Sequence, residues 1–115
     1  MAALEPLEIV RLVRAALESK HGDNVLAFDV RGSSGVTDYY VVASGASRPQ
    51  LKALFDEAQH VLKRAGVSSY RASADSESGW LVLDYVDVVI HILSPEAREY
   101  YAIEELLARC PRIDP

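Results

Sequence analysis

Two carboxylates, Asp84 and Asp87, flank a bend in Leu83-Asp84-Tyr85-Val86-Asp87-Val88. A pair of acids at a strand end can hold Mg²⁺ against a phosphate. Ser44-Gly45-Ala46-Ser47 reads as a strand end opening into a helix, and the backbone N–H groups at a helix N-terminus receive anions. Together these sketch a Mg-dependent, nucleotidyltransferase-like enzyme. The competing account is turn chemistry, because Asp favours hairpin bends and blunts strand edges. That account weighs more. The glycine motif is short, and Arg48 is the only cation near it in sequence.

His91 lies in the apolar run Val89-Ile90-His91-Ile92-Leu93. A single His on such a strand is more often a hydrogen-bonded sheet residue than a catalyst. His21 and His60 have no metal-ligand spacing to it. No Ser-His-Asp or Cys-His arrangement can be built, so the residues call for no metal and no cofactor. Cys110, near Arg109 and Arg112, reads as a chance cysteine. Trp80 starts a strand directly after a polar loop, so it is a core anchor or an interface residue. On a regular strand Trp80, Val82 and Asp84 share one face, and Leu81, Leu83 and Tyr85 share the other. Asp84 does not belong unpaired in a dry core, so the Trp80 face is expected to be the more open. Tyr100 and Tyr101 fit an interface or a core edge equally well. Arg98 fits a solvated, acid-paired helix face.

The elements that must position these groups are legible from periodicity. Glu5 to Lys20 carries Ile9, Leu12, Val13, Ala16 and Leu17 at helical spacing, with Gly22 as the stop. Val25–Val30 is a strand with Leu26, Phe28 and Val30 on one face. Arg31–Gly35 is turn material. Tyr39–Ala43 is apolar on both faces, as in a central strand. Ser47 caps a helix over Arg48–Ala65, with Gln50 completing a capping box, Pro49 in the first turn and Gly66 at the end. Strands are expected at Tyr70–Ala74, Trp80–Tyr85 and Asp87–Leu93, with a loop at Asp75–Gly79. Ser94-Pro95-Glu96 starts a last helix that runs to about Arg109, before a frayed tail with Pro111 and Pro115. The order is α-β-β-α-β-β-β-α, an α+β domain with a mixed five-stranded sheet and three helices.

Length and composition set the outer bounds. The chain has 115 residues, 50% hydrophobic and 25% charged, which fits one domain over 1–115 with its core at about 5–108. Its formal charge is −5. That disfavours a primary nucleic-acid binder, which needs clustered Lys and Arg, and suits a basic protein partner. One cysteine excludes a disulfide framework, and a reducing, cytoplasmic home is expected. No apolar stretch approaches the ~20 residues of a membrane span, and no signal peptide is evident.

Asp29-Val30-Arg31-Gly32 and Thr37-Asp38-Tyr39-Tyr40-Val41-Val42-Ala43-Ser44-Gly45 resemble the ribosomal silencing factor family, also called RsfS or Iojap. Trp80-Leu81-Val82-Leu83-Asp84-Tyr85, Asp87-Val88-Val89-Ile90-His91, Arg98-Glu99-Tyr100-Tyr101 and Ile103-Glu104 extend the resemblance to about residues 5 to 108. Three positions depart. Val86 stands where Gly is common, so a bend of another geometry is expected, because Val tolerates positive φ poorly. Leu107 stands where Trp is common, and Pro49 where a polar or basic residue is usual.

The resemblance implies a nucleotidyltransferase-like fold without the enzyme's working site. It implies binding to the large ribosomal subunit through that subunit's ribosomal protein fourteen, with little direct rRNA contact. The bound factor then blocks joining of the small subunit and represses translation when nutrients run low. A part in large-subunit maturation is also implied. On this reading Trp80, Asp84, Asp87, His91, Arg98 and Tyr101 shape the contact surface, with Trp80 and Tyr101 supplying apolar area and the two Asp facing Lys or Arg. A homodimer of the free protein is a third reading, compatible with ribosome binding.

Overall fold

The computed structural model describes residues 4–33, 37–75 and 77–115. The turn expected at Arg31–Gly35 and the loop at Asp75–Gly79 thus fall partly outside the described residues, at Ser34, Gly35 and Ser76. The first helix, α1 (Pro6–Ser19), buries Ile9, Val10, Val13, Ala16 and Leu17 as one stripe. It ends in a left-handed residue, His21 at φ 63°, rather than at Gly22. Gly22 follows because its N–H reaches the Leu17 carbonyl at 2.8 Å, where an added Cβ would sit 2.9 Å from that oxygen.

Strands β1 (Asp23–Asp29) and β2 (Tyr39–Ser44) pair antiparallel. At the far end of β1, Arg31 Nε and Nη2 donate to the Asp29 carboxylate at 3.0 and 2.7 Å. These hydrogen bonds hold the Asp29 carboxyl below its ordinary pKa. Helix α2 (Arg48–Arg64) is capped by Ser47 as the sequence predicts, with the Gln50 N–H donating to Ser47 Oγ at 3.2 Å, but the capping box is not closed, because Gln50 Oε1 accepts from the Ala46 N–H rather than from that of Ser47. Gly66, at φ 87°, ends it, with the Val67 N–H on the Leu62 carbonyl.

Three strands follow, β3 (Arg71–Ser73), β4 (Trp80–Asp84) and β5 (Val88–Leu93). They form an antiparallel meander, and β5 returns parallel to β2 in the register Tyr39↔Val88 to Ser44↔Leu93. The sheet order is β3-β4-β5-β2-β1-β6.

The C-terminal region differs from the sequence reading. The last helix is split into α3 (Pro95–Tyr101) and α4 (Ile103–Leu106) by Ala102 in the left-handed region at φ 49°. Alanine carries no helix-stop signal, so the break is imposed by packing. It folds Ile103 and Leu107 down onto Phe28, Val30 and Val42. The tail is not frayed. Its β6 (Arg112–Ile113) pairs with β1, Ile113 packs against the main core, and Asp114 forms an ion pair with Arg14. The domain is α+β with a mixed sheet, as predicted, but with six strands and four helices among the described residues.

The two faces of the sheet are covered unequally. Tyr39, Val41, Leu81, Leu83, Ile90 and Ile92 point toward α1 and α2, where Leu51, Leu54, Phe55 and Leu62 close a dry core. Each such side chain contributes about 1.5–3 kcal/mol by leaving water. The short α3 and α4 cover only part of the other face.

The β4–β5 bend does adopt positive φ, contrary to the expectation from Val86. Val86 sits at φ 72°. The Asp87 N–H closes a γ-turn on the Tyr85 carbonyl at 2.8 Å, and Asp84 Oδ1 accepts from the Val86 N–H at 2.8 Å. The surrounding bonds over-determine a conformation that a β-branched residue resists. Val86 is half-exposed, at 52%, so little burial is lost on its removal. Val86→Gly is therefore expected to raise unfolding free energy by about 1 kcal/mol and the Tm by about 4 °C. Thermal denaturation followed by circular dichroism checks this, and a lowered Tm would contradict the strain.

Candidate functional site

The period-2 alternation of β4 sends Trp80, Val82 and Asp84 to the partly covered face, as the sequence reading had it. The strand register then assembles the rest. Val82 lies opposite His91, and His91 opposite Val42. Asp84 lies opposite Val89, and Val89 opposite Tyr40. Because α3 and α4 stop short, Tyr40, Trp80, Val82, Asp84 and Val89 remain half-buried.

An aromatic cluster crosses this face. The Trp80 indole N–H donates to His91 Nδ1 at 3.1 Å, and the Trp80 and Tyr101 ring centroids lie 4.7 Å apart. Tyr40 meets His91 edge-on at 4.7 Å, and Tyr100 meets Tyr101 at 5.0 Å. Trp80 is thus neither plain core nor plain surface: its edge is anchored and its body is available. Between this cluster and α4 runs an apolar groove of about 290 Å³, lined by Val30, Tyr40, Trp80, His91, Leu106 and Cys110 among others. Leu106 in its wall is 76% exposed, and Tyr100, against Tyr101, is 81% exposed. Aromatic side chains presented in this way supply contact area at small entropic cost.

His91 is only 8% exposed. Burial pushes its pKa down to about 4, against a smaller upward pull from the Asp84 charge. The imidazole is therefore neutral at pH 7. With Nδ1 accepting from Trp80, the proton resides on Nε2, which is buried without a hydrogen-bond partner among the described residues.

Of the six residues singled out in the sequence, Trp80, Asp84, His91 and Tyr101 come together on this face. Asp87 is exposed on the adjoining bend. Arg98 does not face outward, and the solvated-face reading of it is corrected. It is 6% exposed, with Nε–H on Glu104 Oε1 at 2.6 Å and Nη1–H on Ser44 Oγ at 3.0 Å. It ties α3 and α4 to β2 and so sets the groove's outer wall. Tyr40, Val82, Val89 and Leu106 were not singled out. Alternation along Tyr39–Ala43 could have found Tyr40. Leu106 depends on the Ala102 break and had no sequence signal.

The segment Ser44–Ser47 is occupied with its own capping. The Ala46 N–H is held by Gln50 Oε1 at 2.9 Å, the Gln50 N–H by Ser47 Oγ, and Pro49 has no N–H. Glu77 and Glu96 line the adjoining cavity with Arg48, so its charged lining is two acids against one cation and does not favour a phosphate. No cluster of three or more His, Cys, Asp or Glu with metal-site geometry forms among the described residues, and no helix among them is long and apolar enough to cross a membrane.

Comparison with known proteins places the whole chain among relatives. The profile of the family described as "Ribosomal silencing factor during starvation" matches residues 3–115. The ribosomal silencing factor RsfS of Haemophilus influenzae is 30% identical over 102 residues, spanning 89% of this chain and 100% of that protein. A crystal structure of a Chromobacterium violaceum protein superposes with a TM-score of 0.87 at 35% identity, covering 91% of this chain and 88% of that one. A more distant relative is the mouse "Mitochondrial assembly of ribosomal large subunit protein 1", 26% identical across 84% of this chain and 44% of its own length.

The burial of His91 makes stability depend on pH. Its folded pKa, about 4, lies below the ordinary 6.5. Between those values the unfolded chain binds the proton and the folded one does not, so stability falls as pH drops from 6.5 toward 4. The loss from this group amounts to about 3 kcal/mol. Urea unfolding between pH 7.5 and pH 4 is expected to show this slope in the wild type and to lose it in His91→Asn. Parallel pH profiles for the two would contradict it.

Proposed function

The chain belongs to the ribosomal silencing factor family, and from that premise we propose that it binds the large ribosomal subunit through ribosomal protein fourteen and keeps the small subunit from joining. Translation is thereby repressed under nutrient limitation, in the cytoplasm. The observation that carries the reading is the half-covered sheet face, where the tilted rings of Trp80 and Tyr101 meet at 4.7 Å on the face that Asp84 shares. Joining of two subunits requires contiguous surfaces, so a domain docked on one excludes the other by volume. A standard interface of ~800 Å² per partner suffices. An acidic domain is steered toward a basic ribosomal protein and away from bare rRNA. The mouse relative, named for mitochondrial assembly of the ribosomal large subunit, supports a part in large-subunit assembly as well.

Trp80, Asp84, Asp87 and Tyr101 contact the partner in this proposal, and His91 and Arg98 hold that surface from beneath. The action is steric and needs no turnover. The nucleotidyltransferase reading has less support, because Ser44–Ser47 is taken up by its own caps.

Purified large subunits are expected to carry the protein through a sucrose cushion, and an excess of it is expected to deplete joined ribosomes on a gradient. Trp80→Ala with Asp84→Lys is expected to weaken co-sedimentation at least about tenfold. Free passage of the wild type, or full retention of the double variant, would overturn the reading. Heat on titration with ATP and Mg²⁺ would favour the enzyme instead.

A further inference from the structure

Asp84 lies on the partly covered face, yet it enters no ion pair among the described residues. Its Oδ1 accepts from the Val86 N–H, which fixes the carboxylate in the bend and leaves its charge uncompensated. A cation is within range. The register places Arg71 of β3 directly opposite Asp84, and the Tyr70 N–H locks the strands there by donating to the Asp84 carbonyl at 2.8 Å. Directly opposed residues of antiparallel strands share a face, with Cβ atoms about 4.5–5.5 Å apart. An arginine side chain spans that gap, so an Arg71–Asp84 cross-strand pair is what the register offers.

Arg71 goes elsewhere. Its guanidinium carbon stands 5.4 Å from the centroid of the Tyr70 ring. Tyr70 is 67% exposed and belongs to neither core cluster, so packing of the interior gives its ring no other task. Exposed cation–π contacts and exposed ion pairs are both weak and of similar size. One ring is therefore enough to decide which of the two Arg71 makes.

We propose that Tyr70 is a positioning residue: it holds Arg71 off Asp84 and so keeps that carboxylate open to a Lys or Arg of the docking partner. The inference rests on the docking-face reading and adds to it an internal competitor and the ring that restrains it. Without the ring, Arg71 occupies the carboxylate from within, and an incoming cation has to displace it.

Affinity for purified large subunits separates the roles. Tyr70→Ala is expected to bind about threefold more weakly, and Tyr70→Phe, which keeps the ring face, to bind like the wild type. With Arg71→Met already in place, Tyr70→Ala is expected to cost nothing, because no competitor is left to restrain. An equal loss in that background makes Tyr70 a direct contact and overturns the inference, as does wild-type affinity in Tyr70→Ala alone. A second arm needs no ribosome: the Arg71 Nε–H resonance is followed in protein carrying ¹⁵N-labelled arginine. Asp84→Asn is expected to move that resonance far less in the wild type than in Tyr70→Ala. Equal movement in the two would also overturn the inference. If wild-type protein ignores large subunits yet the resonance behaves as expected, the ribosomal reading falls and the restraint of Arg71 by Tyr70 stands.

Discussion

A six-stranded sheet has two faces to keep from water, and this chain supplies them with unequal cover. Two long helices, α1 and α2, seal one face around Leu54, Leu62, Leu83 and Ile90. The other has only the short α3 and α4, which close over Phe28, Val42 and Leu93 and end there. Because side chains alternate strictly along a strand, every second residue of β2, β4 and β5 is committed to the under-covered face once the core is fixed. Trp80, Tyr40 and His91 therefore lie together without any local sequence instruction to do so. The aromatic hydrogen bond and the groove both follow from that shortage of helix.

Most of the first face was readable from the sequence. The stripe on α2, its Ser47 cap and its Gly66 end are local signals, and the structure keeps all of them. The apolar run Tyr39–Ala43 announced a central strand, and β2 is central. The C-terminal third was not readable in the same way. Ala102 has every propensity to continue a helix, yet it turns left-handed because Ile103 and Leu107 have a cluster to reach. Pro111 and Pro115 looked like the end of order. The short β6 between them is held by pairing to β1, which no local pattern encodes. Val86 failed for the opposite reason: the local rule was sound, but the bonds of the bend outweigh it.

The candidate site was partly legible for the same reason. Trp80 and Asp84 share a face by strand periodicity alone, and His91 joins them through register, which sequence does not print. Arg98 was misjudged because a cation on an exposed-looking helix usually faces water. Here Ser44 receives it inside and Glu104 receives it at the rim. A buried guanidinium held by two elements is a fastener rather than a lure, and the family-level function gains from it only indirectly, through the position it gives α4.

The pairing of β6 with β1 bears on how the molecule behaves in a crowd of its own kind. A bare outer strand invites a neighbour's strand to zip alongside. On one side that invitation is withdrawn, because the chain's own last residues occupy the border beside Ala27 and Phe28. On the other side the border is β3, three exposed residues long and carrying Arg71. Neither rim offers a long, flat, uncharged template, so stockpiled copies have little opportunity to polymerise through their sheets.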